Sequence, residues 1–304
     1  MPFIRSPRIT LYYESFGEAI DPAVLLVMGL GAQHSRWNTP FCTLLARRGF
    51  RVIRFDNRDC GLSTHFDELP LPDIAGALQR GTPMQLGYTL DDMATDCLDL
   101  LDALDVRHAH LAGASLGAAV AQIVAARHPA RTLSLTSIMS SSGNPLLPPP
   151  SPAAAAALFA PLPRQRDRAS VVADGIARFL PVASPDYPTP VADLEVMFGG
   201  EYDRAFYPQG VARQLGALIA NGDRRPLLRA IRCPTVVLHG VADPLMPLAC
   251  GEDVAANITG AEMRAITGMG HDFPEALDGV FADAICRAAE RAGQEATEIR
   301  SQIA

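Results

Sequence analysis

A single serine, Ser115, lies between two glycines in the stretch "LAGASLGAAV" of residues 111–120. The segment "GASLG" at 113–117 matches the pattern G-x-S-x-G, with an apolar run before it and a helix-like run after it. In that context the turn from strand to helix is so sharp that side chains at its two ends would collide with backbone, and glycine avoids the collision. The pattern predicts that Ser115 is a nucleophile. A glycine-rich turn with a solvent-facing serine is the alternative.

Two residues further along the chain can supply the base and the carboxylate that a serine nucleophile needs. A serine hydroxyl reacts poorly unless a base accepts its proton, and the base needs a carboxylate that fixes its tautomer. Asp243 follows an apolar run in "LHGVADPLMP", and His271 follows the next one in "TGMGHDFP". Because the carboxyl ends of parallel strands meet at one edge of a sheet, we expect Ser115, His271 and Asp243 to form a catalytic triad.

Each partner residue also has a purely structural interpretation. Asp243 is compatible with a helix cap before Pro244, and His271 with a surface loop. Asp272 is a weaker candidate for the orienting acid, because adjacent side chains on an extended chain point to opposite sides. His239, at the end of a run near Asp243, is interpreted as a packed residue rather than a catalyst.

Two backbone amides are candidates for the oxyanion hole, the pair of donors that stabilises the tetrahedral intermediate of acyl transfer. One belongs to Leu116, directly after the nucleophile at a predicted helix N-terminus, where amides lack helical partners. The other is assigned to Leu30, which follows Gly29 in the loop "GLGAQHSRW". We expect Gly29 and His34 of this loop to contact the substrate. A plain glycine-rich connection with His34 at the surface is the alternative.

Alternating strands and helices position these residues. Short β-branched and aliphatic runs predict strands at 23–29, 51–56, 109–115, 132–139, 235–240 and 261–267. The more regular alternation of "ITLYYESFG" near the start suits an antiparallel edge strand. Amphipathic segments predict helices at 37–48, 89–104, 116–127, 247–257 and 275–292. This pattern is typical of an α/β fold with a doubly wound, mostly parallel sheet.

One long segment, residues 146–228, interrupts the alternation with helical patterns and no convincing strand. We predict that it is a helical cap, inserted after the strand that follows Ser115 into a core domain of residues 1–145 and 229–304. The proline cluster at 148–152 predicts a stiff hinge into the cap, because each X-Pro bond disfavours helix in the preceding residue. A disordered linker is the alternative for that short stretch.

Large apolar side chains cluster in "DLEVMFGGEYDRAFYP" in the later half of this segment. A cap over the strand ends would enclose the nucleophile, and an apolar pocket with few polar groups suits a bulky, uncharged ester. We therefore predict that Met197, Phe198 and Tyr202 bind the substrate. The alternative is that these side chains only attach the cap to the core.

Composition excludes several other classes of function. The net charge is −7 and charges of both signs are scattered, so no basic stripe is available for nucleic acid or an anionic membrane. No run reaches the length of about 20 apolar residues that a transmembrane helix needs, and the first residues lack the apolar core of a signal peptide. We therefore expect a cytoplasmic location and no membrane partner. A homo-oligomer remains open.

Residue usage restricts the chemistry further. The chain has no lysine, which excludes a lysine Schiff base. Its six cysteines are far apart with no C-x-x-C pair, a pattern of buried thiols rather than of a disulfide framework or a zinc site. His108 and His110 have no acidic cluster near them, so no metal site is predicted.

Taken with their contexts, these motifs resemble those of the α/β-hydrolase superfamily. The similarity is carried by "VMGLGAQHSRW", "RVIRFDNRDCGLST", "GASLG", "LHGVADPLMP" and "GMGHDFP". Met28-Gly29 stands where many members have His-Gly. With the D-x-R-x-x-G-x-S pattern from Asp56 to Ser63, this is similar to the bacterial serine esterases grouped with aclacinomycin methylesterase. The resemblance implies a carboxylic-ester hydrolase that needs no cofactor and acts on a small molecule.

Other activities share the same residues. Serine at position 115 argues against the dehalogenase and epoxide-hydrolase branches, which resemble this fold but carry aspartate there. A lactonase, a carbon–carbon bond hydrolase and a cofactor-free perhydrolase would use the same triad, so the sequence leaves them open. The alternative from another class is a ligand-binding receptor built on a hydrolase scaffold.

Overall fold

The computed structural model describes residues 2–160 and 165–303. In chain order its strands are β1 (Phe3–Arg5), β2 (Thr10–Phe16), β3 (Ala23–Val27), β4 (Arg51–Phe55), β5 (Ala109–Ala114), β6 (Thr132–Ile138), β7 (Thr235–Gly240) and β8 (Glu262–Ile266). They form one sheet in the order β1-β2-β4-β3-β5-β6-β7-β8. β1 and β2 are antiparallel to their neighbours, and all pairs from β4 to β8 are parallel. The carboxyl ends of the parallel strands therefore share one edge.

The predicted strands are confirmed to within two residues at their ends, with one difference in position. The segment "ITLYYESFG" is the antiparallel strand β2, but it does not lie at the edge of the sheet. The short strand β1 pairs with its outer side, with Ile4 opposite Leu11. Three residues are too few to show a hydrophobic period, which is why the sequence did not predict β1.

Eleven helices surround the sheet in the described part of the chain. They are α1 (Thr39–Arg47), α2 (Ile74–Arg80), α3 (Leu90–Ala103), α4 (Leu116–Arg127), α5 (Pro152–Phe159), α6 (Arg168–Phe179), α7 (Val191–Arg204), α8 (Pro208–Asn221), α9 (Arg225–Leu228), α10 (Leu248–Ala256) and α11 (Asp278–Ile303). The five predicted core helices correspond to α1, α3, α4, α10 and α11. The sequence did not predict α2, in which Ala77 alone is buried.

The helices of the core pack on both faces of the sheet. On one face α1 and α11 bury Phe41 and Phe281 against the strands. On the other face α3, α4 and α10 contribute Leu100, Val120 and Val254 to a second apolar cluster. α4 begins directly after Ser115 and is buried on almost all sides, so its small apolar residues suit a central position. The doubly wound architecture predicted from the sequence is confirmed.

The helices α5 to α9 follow one another between β6 and β7, and no strand occurs among the described residues there. This is the segment that the sequence predicts to be a helical cap, although residues 161–164 within it lie outside the described ranges. The prolines at 148–152 lead directly into α5, with Ser151 as its N-cap and Pro152 as its first residue. The division into domains at 145 and 229 remains a prediction.

Ion pairs with buried carboxylates join this helical segment to the core. Arg204 Nη2 lies 2.6 Å from Asp56 Oδ2, and Arg213 Nη1 lies 3.3 Å from Asp59 Oδ2. Both carboxylates follow β4 and have no exposed side-chain surface. Removing either arginine would leave a fully buried carboxylate without its arginine, which is strongly unfavourable. No helix within residues 2–160 and 165–303 has both the length and the apolar character needed to cross a bilayer.

Candidate active site

The turn that carries Ser115 has the strained geometry expected of a nucleophile elbow. Ser115 joins β5 to α4 with φ at +54° and ψ at −118°, a region that residues other than glycine rarely adopt. A Cβ at Gly113 would overlap the carbonyl of Gly117, and a Cβ at Gly117 would overlap the carbonyl of Val27. The two glycines are therefore required by the close approach of backbone on each side of the serine.

Ser115, His271 and Asp243 are in hydrogen-bond contact. His271 Nε2 lies 3.0 Å from Ser115 Oγ, and His271 Nδ1 lies 2.7 Å from Asp243 Oδ2. In the consistent tautomer Nδ1–H donates to the carboxylate, and Nε2 accepts the serine proton. Asp243 Oδ1 also accepts from the amides of Leu245 and Met246, at 2.9 and 2.8 Å. These amides hold the fully buried carboxylate in place.

His239 supports the turn that carries the acid. Its ring is fully buried, and Nε2 donates to the carbonyl oxygen of Met246 at 2.7 Å. Burial lowers the pKa of His239, so the ring is held neutral beside Asp243. The ring packs against the turn that carries Asp243, and no hydrogen bond joins it to Ser115 among the described residues.

The loop of His271 is held by the residues that follow α6. The amide of His271 donates to the carbonyl of Val182 at 2.7 Å, and the amide of Gly270 donates to Ser184 Oγ at 2.8 Å. Asp272 Oδ1 accepts from the amide of Ser184 at 3.1 Å and also from its hydroxyl. Burial raises the pKa of the Asp272 carboxyl. The carboxyl groups of Asp272 and Asp243 thus have separate partners, and it is Asp243 that contacts the histidine ring.

The two candidate oxyanion donors lie on either side of Ser115. Leu116 is the first residue of α4, so its amide has no partner within the helix. The amide of Leu30 donates to no described residue. A Cβ on Gly29 would lie 3.3 Å from the Cβ of Ser115, so the glycine lets this loop approach the nucleophile. Leu30 also lines the cavity that contains Ser115, whereas Leu116 is fully buried, and the assignment of both amides as oxyanion donors stays a prediction.

The oxyanion loop is held by two buried amide side chains. Asn57 Nδ2 donates to the carbonyl of Met28 at 2.8 Å, before the loop turns. Gln214 Oε1 accepts from the amide of Gly31 at 2.8 Å, while its Nε2 donates to the carbonyl of Arg58. Because Gln214 belongs to α8, the loop is supported from the helical segment as well as from the core.

A cavity of about 430 Å³ opens onto Ser115 and His271. Its walls are mainly apolar and come from both the core and the helices α5 to α8. Representative side chains are those of Leu30, Met139, Phe179, Phe198, Leu215 and Phe273. The volume lies in the range of small-molecule sites. In the described part of the chain, no group of three or more His, Cys, Asp or Glu side chains is arranged to hold a metal ion.

The structure differs from the sequence prediction for three substrate-binding candidates. Gly29 and Phe198 line the cavity, but His34, Met197 and Tyr202 do not. His34 is buried instead, with Nδ1 2.9 Å from Asp56 Oδ1. The carboxylate after β4 therefore draws this ring away from the substrate side of the loop.

The other two candidates lie on the flanks of α7. The cavity side of this helix carries Phe198 and Glu201, which are three residues apart and share a face. Met197 and Tyr202 precede and follow this pair and lie to either side of it. Tyr202 Oη donates to the carbonyl of Arg166 at 2.9 Å, outside the cavity.

Several residues that shape the site were not singled out from the sequence. Arg36 and Glu201 line the cavity, and Gln214, Asn57 and Ser184 hold its loops. The sequence does contain an indication of Arg36, because this charged residue lies six positions after Leu30 in the same loop, "GLGAQHSRW". Glu201 likewise interrupts an apolar stretch of the helical segment 146–228. A charged residue in an apolar stretch is a candidate for a binding site rather than for the hydrophobic core.

The fold and this geometry together define an α/β hydrolase. A family model described as "alpha/beta hydrolase fold" matches residues 22–275, and the chain belongs to that family. The rhodomycin D methylesterase DnrP of Streptomyces peucetius is 27% identical over 305 residues, covering 93% of this chain and 96% of that protein. The rhodomycin D methylesterase DauP of Streptomyces sp. (strain C5) is 36% identical over 133 residues, which cover 44% of this chain and 40% of DauP.

Among solved structures, the enol-lactonase from Burkholderia xenovorans LB400 superposes with a TM-score of 0.70. It is 23% identical, and the match covers 94% of this chain and 99% of that one. At this identity the likeness shows the fold alone. The resemblance to bacterial methylesterases of the α/β-hydrolase class, predicted from the sequence, is confirmed by the relatives.

Proposed function

We propose that this protein is a serine hydrolase that cleaves a carboxylic ester of a fairly apolar small molecule through an acyl-enzyme intermediate. The observation that carries the proposal is the hydrogen-bonded series from Ser115 Oγ to His271 Nε2 at 3.0 Å and from His271 Nδ1 to Asp243 at 2.7 Å. A nucleophile, a base and an orienting acid within these distances are the parts that acyl transfer requires.

Ser115, His271 and Asp243 have distinct roles in the proposed reaction. Ser115 Oγ attacks the ester carbonyl while His271 Nε2 takes its proton, and Asp243 stabilises the imidazolium that forms. The negative charge on the carbonyl oxygen is stabilised by the amides of Leu30 and Leu116. His271 then protonates the departing alkoxide, and the alcohol leaves. A water molecule, deprotonated by His271, attacks the acyl-enzyme and releases the acid and free Ser115.

The cavity supports an apolar substrate. A site of about 430 Å³ with mainly apolar walls binds its ligand by removing apolar surface from water, with few groups that fix orientation. The two rhodomycin D methylesterases among the relatives support a methyl ester as the group that is cleaved. In this proposal residues 146–228 act as the cap that closes over Ser115.

The proposed substrate class predicts how the rate depends on apolar bulk. In a series of methyl esters with growing hydrocarbon acyl groups, kcat/KM should rise about fourfold per added methylene that fits, because each buried methylene contributes about 0.8 kcal/mol. Phe198→Ala removes a wall of the cavity and should flatten this slope. Tyr202→Ala is the matched control, since Tyr202 lies on the same helix but outside the cavity.

The slope is measured by steady-state hydrolysis of the whole series by the parent enzyme and both variants. Equal kcat/KM for the smallest and the bulkiest ester in the parent enzyme would contradict selection by apolar fit. Analysis of the products from ester, lactone and diketone substrates separates ester cleavage from the other activities of such a triad. Rapid ester turnover would also argue against a receptor with vestigial activity.

A further inference from the structure

Arg36 places a positive charge in the otherwise apolar wall of the cavity. It ends the short 3-10 turn His34–Arg36, within the loop that also carries Leu30, and it lines the same cavity as Ser115. Its Nε and Nη2 atoms donate to the two carboxylate oxygens of Glu201 on α7, at 2.7 and 2.8 Å. Its guanidinium lies 4.6 Å from the ring centre of Phe198. The group is therefore fixed on two sides.

This bidentate pairing leaves part of the guanidinium unused. The group carries five N–H donors in a planar fork, and the two bonds to Glu201 occupy one edge of it. Nη1 lies on the far side of the fork and donates to no described residue. The Arg36 side chain is 18% exposed and lines the cavity, and Nη1 is not buried without a partner.

The charged side chains of Arg178 and Asp272 also line the cavity, but their hydrogen-bond partners differ from those of Arg36. Arg178 is held by the carboxylate of Asp174 at 2.6 Å and by main-chain carbonyls of α5 and its end. Asp272 Oδ1 accepts a hydrogen bond from the amide of Ser184. The arginines that tie the helical segment to Asp56 and Asp59 do not line the cavity. Arg36 thus combines a cavity position, a fixed orientation and a spare donor.

Glu201 determines which ligand groups suit this donor. Burial alone would lower the pKa of Arg36, but the attraction of Glu201 raises it overall, so the guanidinium stays charged. The pair as a whole is close to neutral, and the carboxylate would repel an anionic ligand group beside it. An uncharged oxygen can accept from Nη1 without that penalty, and a hydrogen bond to a charged donor is stronger than one between neutral groups.

We propose that Arg36 Nη1 is a polar subsite that binds an uncharged keto or hydroxyl oxygen on the apolar body of the ester. The proposal rests on the proposed function and narrows its substrate class to apolar esters that carry one such oxygen apart from the ester group. The ester carbonyl is held at Ser115, and the second oxygen at Arg36 sets the orientation of the apolar body between them.

The test compares pairs of methyl esters that have the same ring body and differ by one keto or hydroxyl oxygen. The measured quantity is the ratio of kcat/KM within a pair, so a change that affects both esters alike cancels. In the parent enzyme we expect the ester with the oxygen at a matching position to be preferred by about 10- to 100-fold, the range for a hydrogen bond to a charged group.

The informative variant is the double substitution Arg36→Gln with Glu201→Gln, because removing Arg36 alone would leave the partly buried carboxylate of Glu201 without its cation. It should bring the ratio close to one. The double substitution Arg168→Gln with Asp203→Asn removes an exposed ion pair of the same helical segment and should leave the ratio unchanged. If the first double variant does not fold, Arg36→Lys keeps the charge but loses the fork and should lower the ratio.

Three outcomes would overturn the subsite. They are a ratio near one for every pair in the parent enzyme, a ratio that survives the loss of Arg36, and a preference for an ester that carries a carboxylate in place of the neutral oxygen. Failure of the proposed function would look different, because the parent enzyme would then cleave neither member of any pair. Calorimetric binding of the same esters to Ser115→Ala protein measures the preference without turnover.

Discussion

Ser115→Ala is expected to lower kcat for ester hydrolysis by on the order of 10⁶, because a catalytic triad acts as a unit and loses its function with the nucleophile. Ser115 Oγ is the atom that His271 Nε2 contacts at 3.0 Å, and alanine removes it while preserving the Cβ. The residual rate would come from the oxyanion amides and from binding alone.

The measurement is single-turnover hydrolysis of a methyl ester, together with labelling by a fluorophosphonate. The parent enzyme should be labelled and the variant should not. Ser170→Ala is a suitable control, because it replaces a serine at the start of α6 that lies outside the cavity. Labelling that persists in Ser115→Ala would show that another nucleophile reacts.

Asp243→Asn is expected to lower kcat by about 10⁴ and to leave the fold intact. The carboxylate accepts a hydrogen bond from His271 Nδ1–H at 2.7 Å, whereas an amide in its place favours the tautomer in which Nε2 cannot accept the serine proton. The side-chain oxygen of asparagine can still accept from the amides of Leu245 and Met246, which preserves the local turn.

Asp272→Asn is the matched comparison, because it makes the same change at the next acidic residue of the site. Its oxygen can still accept from Ser184, and it does not contact the ring of His271, so a much smaller loss is expected. The two variants, Asp243→Asn and Asp272→Asn, are compared by their kcat on the same ester. Thermal unfolding of both proteins checks that the fold is intact. Reversed effects would show that Asp272 orients the histidine and that the assignment of Asp243 is wrong.

The positions of the site residues in the core follow closely from the sequence. Buried parallel strands are recognisable as short apolar runs, and the residues after them must meet at one edge of the sheet. The proximity of Ser115, Asp243 and His271 is therefore predictable from the sequence. The glycines at 113 and 117 also indicate the sharp turn at Ser115, since the backbone leaves no room for a Cβ at either position.

The contacts of the helical segment could not be predicted in the same way. Which side of α7 faces the cavity depends on how the helix packs. A rotation of the helix by one residue would place Met197 instead of Phe198 in the cavity wall. Arg36 and Glu201 are 165 positions apart, so nothing local indicates that they pair. The position of His34 outside the cavity has a related reason, because its partner Asp56 belongs to the loop after another strand.

The central claim is that Ser115 becomes acylated during ester cleavage, and rapid-quench peptide mass spectrometry tests it most directly. The enzyme is mixed with an activated aryl ester, quenched within the first turnover, digested and mapped. We expect a mass increase equal to one acyl group on the peptide that contains Ser115, formed with the burst of phenol and lost on further incubation. A full burst of phenol with no acyl group on that peptide would contradict the account.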